Sequence, residues 1–93
     1  MDEKLINFFK LINYNDVLAF ENAKFKEMAI RDNGTTWIIR INAKELIPVK
    51  SMMNLITLCK DGINDVKSII IEMNYEVLPS QLILEYFLYF LDQ

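Results

Sequence analysis

Few side chains of this 93-residue sequence could carry out catalysis. It contains no histidine, the usual general base, and a single cysteine, Cys59. Cys59 follows Leu55 and Ile56 in a helical pattern, so we expect a small buried hydrophobe rather than a nucleophile. The carboxylates Glu72, Glu76 and Glu85 are scattered over different predicted elements, so we expect no catalytic pair of acids. We therefore predict no enzyme activity, no cofactor and no metal site for this segment.

The basic residues are dispersed, and most have an acidic neighbour. The formal net charge of −3 opposes attraction to phosphate backbones, so nucleic acid is not the expected partner. An alternative hypothesis is a single-strand-binding module in which Phe25 stacks on a base. Its basic residues would be Lys24, Lys26, Arg31, Arg40 and Lys44.

The aromatic side chains near the end of the sequence are its most distinctive feature. Pro79 and Ser80 open a predicted final helix that is apolar around most of its circumference, more than a small sheet can cover. We therefore predict a protein interface there, with homodimerisation as an alternative. The predicted interface consists of Tyr86, Phe87, Tyr89 and Phe90, with Phe25 and Ile38 from the outer face of a hairpin.

The earlier elements follow from hydrophobic periodicity. Apolar residues spaced by three and four predict a helix over residues 3–13, and a short helical turn follows at residues 17–20. From Lys24 the period becomes two, and Asn33-Gly34 between two such runs predicts a β-hairpin with a type I′ turn. The expected pairs on the core face are Ile30–Trp37, Met28–Ile39 and Lys26–Ile41; those on the outer face are Arg31–Thr36, Ala29–Ile38, Glu27–Arg40 and Phe25–Asn42.

The second half of the chain continues the alternation of helix and strand. Pro48 and Gly62 bracket a predicted helix over residues 48–60, and a third strand is expected over residues 66–75, parallel to the second. The fold class is therefore α+β, with a three-stranded sheet, about three helices and the order α-α-β-β-α-β-α. The buried stripe of the second helix is predicted to be Val49, Met52, Met53 and Ile56.

Length and composition predict one domain spanning residues 1–93. Hydrophobic residues make up 53% of the chain and charged residues 25%, as in globular proteins. No apolar run reaches the roughly 18 residues of a membrane-spanning helix, and the Met-Asp-Glu-Lys start is unlike a secretory signal. We expect a cytoplasmic protein that does not enter a membrane.

Three segments resemble a known domain. The run from Phe20 to Ile41 (FENAKFKEMAIRDNGTTWIIRI), the break at Leu46-Ile47-Pro48 and the closing LPSQLILEYFLYFLDQ are similar to the first N-terminal domain of the PolC-type DNA polymerase III alpha subunit. This is the replicative polymerase of low-GC Gram-positive bacteria and mycoplasmas. The resemblance is one of pattern and extends over almost the whole chain.

The resemblance implies a truncated KH-like fold and a piece of a much longer chain. It places the domain before the OB-fold, exonuclease and polymerase regions, and implies protein contacts in the replisome, with the clamp-loader tau subunit, helicase-side factors or the next domain. No catalytic residue is carried over, because the acidic metal ligands of the family lie outside these positions. The segment Lys60 to Asp65 (KDGIND) has one glycine where a nucleic-acid-binding KH loop has GxxG.

Overall fold

A computed structural model describes residues 1–61 and 63–76 of the chain. These residues form two α-helices, a 3₁₀ turn and a three-stranded mixed sheet, so the predicted α+β class is confirmed. The predicted final helix lies outside the described residues, and the KH-like topology remains a prediction. The elements are α1 (Glu3–Leu11), the 3₁₀ turn (Val17–Phe20), β1 (Ala23–Arg31), β2 (Thr36–Ala43), α2 (Val49–Lys60) and β3 (Ser68–Tyr75).

The central strand of the sheet is β2, which pairs antiparallel with β1 and parallel with β3. The parallel pairing follows from the connection through α2, since a strand that returns after a helical crossover runs in the same direction as the strand before it. Its register places Ile69 beside Trp37, Ile71 beside Ile39 and Met73 beside Ile41. The prediction that β3 runs parallel to β2 is therefore confirmed.

A β-bulge at Lys26 changes the register of the hairpin. Beyond the bulge the pairs Glu27–Arg40, Met28–Ile39, Ala29–Ile38, Ile30–Trp37 and Arg31–Thr36 are as predicted. Before it, Phe25 pairs with Ile41 and Lys24 with Asn42, so the predicted pairs Lys26–Ile41 and Phe25–Asn42 are wrong. The extra residue in β1 shifts the alternation of side chains by one position.

The shift matches the apolar pattern of the strand. Ala23 and Phe25 are odd-numbered, whereas Met28 and Ile30 are even-numbered, and a regular strand would send these two pairs to opposite faces. Because Lys26 is inserted between them, all four share the face that carries the helices. The bulge thus keeps the Lys26 ammonium group off the apolar face, where the regular register would have placed it.

The turn of the hairpin contains the predicted Asn33-Gly34 pair. The N–H of Thr35 donates to the carbonyl oxygen of Asp32 at 3.2 Å, and Asn33 and Gly34 between them have positive φ of 57° and 88°, as a type I′ turn requires. The N–H of Gly34 also donates to the carbonyl oxygen of Arg31 at 3.1 Å, and Asp32 has a positive φ of 55°. The ladder starts at the pair Arg31–Thr36. Three successive left-handed residues explain the Asp-Asn-Gly sequence, since these types tolerate that conformation best.

The hydrophobic core lies between one face of the sheet and the two helices. Ile39 and Ile41 of β2 are fully buried, as are Leu5 and Phe9 of α1 and Leu55 of α2. An aromatic cluster fills the end of this core: the ring of Phe9 lies 4.8 Å from that of Tyr14 and 5.0 Å from that of Phe20. The short 3₁₀ turn is therefore held by its final residue, Phe20, which inserts into the core.

The residues of helix α2 that face the core differ from those that the sequence pattern indicates. The predicted stripe was Val49, Met52, Met53 and Ile56, but only Met52 of that set is buried. The buried residues are Ser51, Met52, Leu55 and Cys59. Because Ser51 is polar, a pattern of apolar residues alone could not identify it as a buried position.

Ser51 is buried because hydrogen bonds fix it to the loop after α1. The hydroxyl group of Tyr14 donates to the carbonyl oxygen of Ser51 at 2.9 Å, and the Ser51 hydroxyl group donates to the Asp16 carboxylate. Burial, followed by the nearby charge of Asp16, raises the pKa of Tyr14 to about 12, so its hydroxyl group stays a donor. These bonds connect α2 to the loop that follows α1.

Asp2 fixes the start of α1 to the sheet. Its carboxylate accepts from the N–H groups of Lys4 and Leu5, which caps the helix, and from the N–H of Phe25 at 2.9 Å. Desolvation alone would raise the pKa of Asp2, but these backbone hydrogen bonds outweigh it and the pKa lies below its ordinary value. Because Phe25 immediately precedes Lys26, one side chain caps the helix and supports the bulge.

Replacing Asp2 with alanine should lower the free energy of unfolding by about 1–2 kcal/mol near neutral pH, because the helix cap and the Phe25 N–H lose their acceptor. The folded-state pKa is depressed, so this stabilisation is present above the unfolded pKa and disappears as pH falls through the folded pKa. Urea unfolding of both chains between neutral and acid pH measures the difference. Asp65, exposed in a turn before β3, supplies the control Asp65→Ala; equal losses from both variants would contradict the role of Asp2.

Candidate interaction surfaces

The only cysteine is enclosed in the core. Cys59 lies on the buried side of α2, and burial raises the pKa of its thiol to about 12. At neutral pH the side chain is therefore a neutral thiol, and the thiolate is the nucleophilic form. Its position and its pKa both favour the predicted structural role.

We expect Cys59 to react with a maleimide reagent only when the chain unfolds, because the thiol is both protonated and out of reach of solvent. Labelling followed by mass spectrometry should show native protein largely unmodified and protein in concentrated urea fully modified. Native protein that reacts as fast as unfolded protein would contradict the buried position.

The acidic residues considered for a catalytic site do not form a pair in the described part of the chain. Glu72 lies on β3, where one of its oxygens is 3.4 Å from the Arg40 guanidinium group. Glu76 is exposed just after β3, and Glu85 lies outside the described residues. The part of the chain that the structure describes has no group of three or more potential metal ligands.

The five basic residues of the nucleic-acid hypothesis do not form one continuous surface. Arg40 lies between two carboxylates, 3.1 Å from Glu27 and 3.4 Å from Glu72, and these bonds raise its pKa. Its charge is therefore compensated on both sides. Lys24 and Lys44 do lie together, lining a small cleft beside β2. The exposed Lys26 is at the bulge, and Arg31 is at the far end of the hairpin.

The face of the sheet opposite the core cluster has a mixed character. An apolar row, Ala29–Ile38–Ile70, crosses all three strands and is followed by the charged row Glu27–Arg40–Glu72. Ile38 is only 5% exposed, whereas Ile70 is 45% exposed at the edge. Phe25, predicted for this face, packs against the core instead, because the bulge moves it to the other side. Ile38 is thus on the predicted face, and its role at an interface remains a prediction.

A larger apolar surface lies at the far end of the hairpin, on the helix-bearing face. Ile30 is 55% exposed and Met28 is 42% exposed, and the half-buried Trp37 is paired with Ile30 across the strands. We call these three residues the hairpin patch. Both β1 members were predicted as core residues, and that prediction is wrong for them, because Leu5, Phe9 and Leu55 bury the middle of β2 but not this end of β1.

Geometry explains why the hairpin patch stays uncovered by the described helices. Helix α1 reaches β1 through its capped start near Phe25, and α2 packs on β3. Met28 and Ile30 lie further along an edge strand, beyond the Phe25 contact. The alternation of apolar residues identified the correct face, but no local pattern could indicate how far along that face the helices extend.

The aromatic residues that the sequence analysis assigned to an interface, Tyr86, Phe87, Tyr89 and Phe90, lie outside the described residues. Their role therefore remains a prediction from the sequence.

Residues of the hairpin patch should contribute little to folding. We expect Ile30→Ala to lower the free energy of unfolding by less than about 1 kcal/mol, since its side chain is already half in water. The matched variant Ile41→Ala removes the same atoms from a fully buried position and should cost about 2–5 kcal/mol. Urea unfolding compares the two. Equal losses would mean that Ile30 is part of the core.

Comparison of the chain with protein-family models, with curated proteins and with solved structures finds no match. Within residues 1–61 and 63–76, no helix has the length and apolar character needed to cross a membrane.

Proposed function

We propose that this chain is a non-catalytic protein-interaction domain, located at the N-terminus of a PolC-type DNA polymerase III alpha subunit and acting in the cytoplasm during replisome assembly. The observation that carries the proposal is the hairpin patch: Met28, Ile30 and Trp37 are adjacent large apolar side chains left partly in water. Apolar residues that are exposed singly are normal, but a contiguous group marks a surface that meets another molecule.

The chemistry of the patch favours a protein partner. Trp37 lies in the central strand and is partly exposed, and tryptophan is among the residues that contribute most to protein interfaces. Met28 adds a flexible, polarizable side chain that adapts to the surface it meets. Arg31, which follows Ile30 at the tip of β1, is exposed and can pair with an acidic rim on the partner.

A surface for nucleic acid is less well supported. Lys24 and Lys44 share a cleft, which favours an anion there, but the acidic Glu76 lines the same cleft. Arg40 is held between two carboxylates. With a net charge of −3 for the chain, the long-range field opposes a polyanion.

The polymerase assignment draws on the order of the described elements. A helix, a 3₁₀ turn, a hairpin with Trp37 in its second strand, a helix beginning just after Pro48 and a third strand occur in the order that the family pattern implies. Such a domain would bind the clamp-loader tau subunit, a helicase-side factor or the domain that follows it in the polymerase. The aromatic residues near the end of the sequence are part of the same proposal as a predicted contact region, on the evidence of the sequence alone.

The proposal is tested with purified clamp-loader tau subunit and with the rest of the polymerase chain as binding partners, using isothermal titration calorimetry. The double variant Met28→Lys, Ile30→Lys should weaken binding at least about tenfold, because two lysines would be desolvated in place of apolar side chains. Its folding is verified by urea unfolding.

Leu18→Lys is the matched control. Leu18 is 74% exposed on the 3₁₀ turn and is not part of the hairpin patch, so this variant adds a charge at an isolated apolar position. It should bind like the original chain. Failure of the original chain to bind either partner, or equal affinities for the two variants, would contradict the proposal.

A further inference from the structure

The two edges of the sheet differ in how they are protected from other strands. The free edge of β1 carries the bulge at Lys26 together with the exposed side chains of Lys24 and Arg31, all of which hinder the approach of another strand. The outer strand on the opposite side, Ser68–Tyr75, contains no proline, glycine, lysine or arginine, and its eight residues pair with β2 without a register shift. Among residues 1–61 and 63–76 no strand pairs with its other side.

The directions of the backbone N–H groups of β3 show which residues present their N–H and C=O groups at the outer edge of this strand. The N–H of Ser68 donates to the carbonyl oxygen of Thr35 at 3.1 Å, and that of Glu76 donates to Ala43 at 2.9 Å. The N–H and C=O groups of even-numbered residues in β3 therefore point toward β2. Because these groups alternate along a strand, Ile69, Ile71 and Met73 point theirs outward.

Side chains restrict the partners that this edge accepts. Ile69, Ile71 and Met73 are on the helix-bearing face, and Ile70 and Glu72 are on the other. A strand that adds to this edge must bring apolar residues to one face and must not place a carboxylate opposite Glu72. The segment of β3 itself meets both conditions when two copies pair antiparallel about Ile71.

We propose that β3 pairs antiparallel with β3 of a second copy of this chain, centred on Ile71, to give a six-stranded sheet. A two-fold axis perpendicular to the sheet would keep the helices of both copies on one side. Ile71 then faces the partner's Ile71, and Ile69 faces the partner's Met73, forming about six backbone hydrogen bonds. On the other face Ile70 lies opposite the partner's Glu72.

Two neighbouring registers are less favourable. A shift of the partner strand by one residue would pair Ile71 with the partner's Glu72. One copy would then be turned over, and its Glu72-bearing face would lie on the side of the other copy's helices. Centring the pair on Glu72 would place two carboxylates directly opposite each other in the closest type of cross-strand pair. In the described part of each copy the remaining edge strand is β1, whose bulge and lysines hinder further addition, so assembly should end at two copies.

The contact involves one strand from each copy, which buries less than the roughly 1,200 Å² of a standard interface. Association should therefore be reversible. Analytical ultracentrifugation of the 93-residue chain from about 5 to about 500 µM should show a monomer–dimer equilibrium. A monomer over the whole range would overturn the proposal.

Two variants of one exposed residue test the register. Ile70→Lys places a lysine opposite the partner's Glu72 twice in the dimer, and should tighten association by about tenfold. Ile70→Glu places a carboxylate there and should weaken it by at least about tenfold. Because Ile70 is 45% exposed, both chains should remain folded, as urea unfolding would verify.

Equal dimerisation of the two variants would overturn the register. The test is also separate from that of the proposed function, since Ile70 lies on β3 whereas Met28 and Ile30 lie on β1. The double variant Met28→Lys, Ile30→Lys should therefore dimerise like the original chain. Loss of the dimer in that variant would contradict pairing through β3.

Discussion

The bulge at Lys26 is the constraint on which both faces of the sheet depend. A regular strand would place Lys26 opposite Ile41, in the middle of the core, and would turn Phe25 away from it. One extra residue avoids the burial of an ammonium group and brings Phe25 back to the helices. It also leaves Glu27 opposite Arg40, and that ion pair continues across the sheet to Glu72. Asp2 supports this arrangement through the Phe25 N–H.

Hydrogen bonds hold the two helices over one part of the sheet and leave other parts exposed. The start of α1 is fixed to β1, because Asp2 accepts a hydrogen bond from the Phe25 N–H. Helix α2 is fixed to the loop after α1 through the bonds of Ser51 with Tyr14 and Asp16. A small domain has too little chain to cover a whole sheet. Within residues 1–61 and 63–76, the hairpin patch is partly exposed and no strand pairs with the outer edge of β3. Our two proposals treat these as separate surfaces, one for a different protein and one for a second copy.

The sequence predicts features that short-range rules determine. Asp32-Asn33-Gly34 indicates a hairpin because few residue types accept positive φ, and Glu27 with Arg40 indicates its register because opposite charges pair across strands. The helix between two strands makes β3 parallel for a topological reason. These predictions needed no knowledge of tertiary contacts.

The features that the sequence could not predict depend on distant contacts. The bulge requires that Phe25 be drawn to α1, and the buried Ser51 requires a partner in the loop after α1. Met28 and Ile30 follow the pattern of core residues, and their exposure results only from where the helices end. The absence of histidine and the buried position of Cys59 were clear from the sequence, but the exposed apolar group on the helix-bearing face of the hairpin was not.

The bulge at Lys26 places Phe25, Met28 and Ile30 on one face of the hairpin. Cross-strand nuclear Overhauser effects between backbone and side-chain protons in the isotope-labelled chain measure this directly. The bulged strand should give contacts of Phe25 with Ile41 and of Met28 with Ile39, with Lys26 outside the ladder. Contacts of Lys26 with Ile41 would show a regular strand, and would contradict both the core and the surfaces described above.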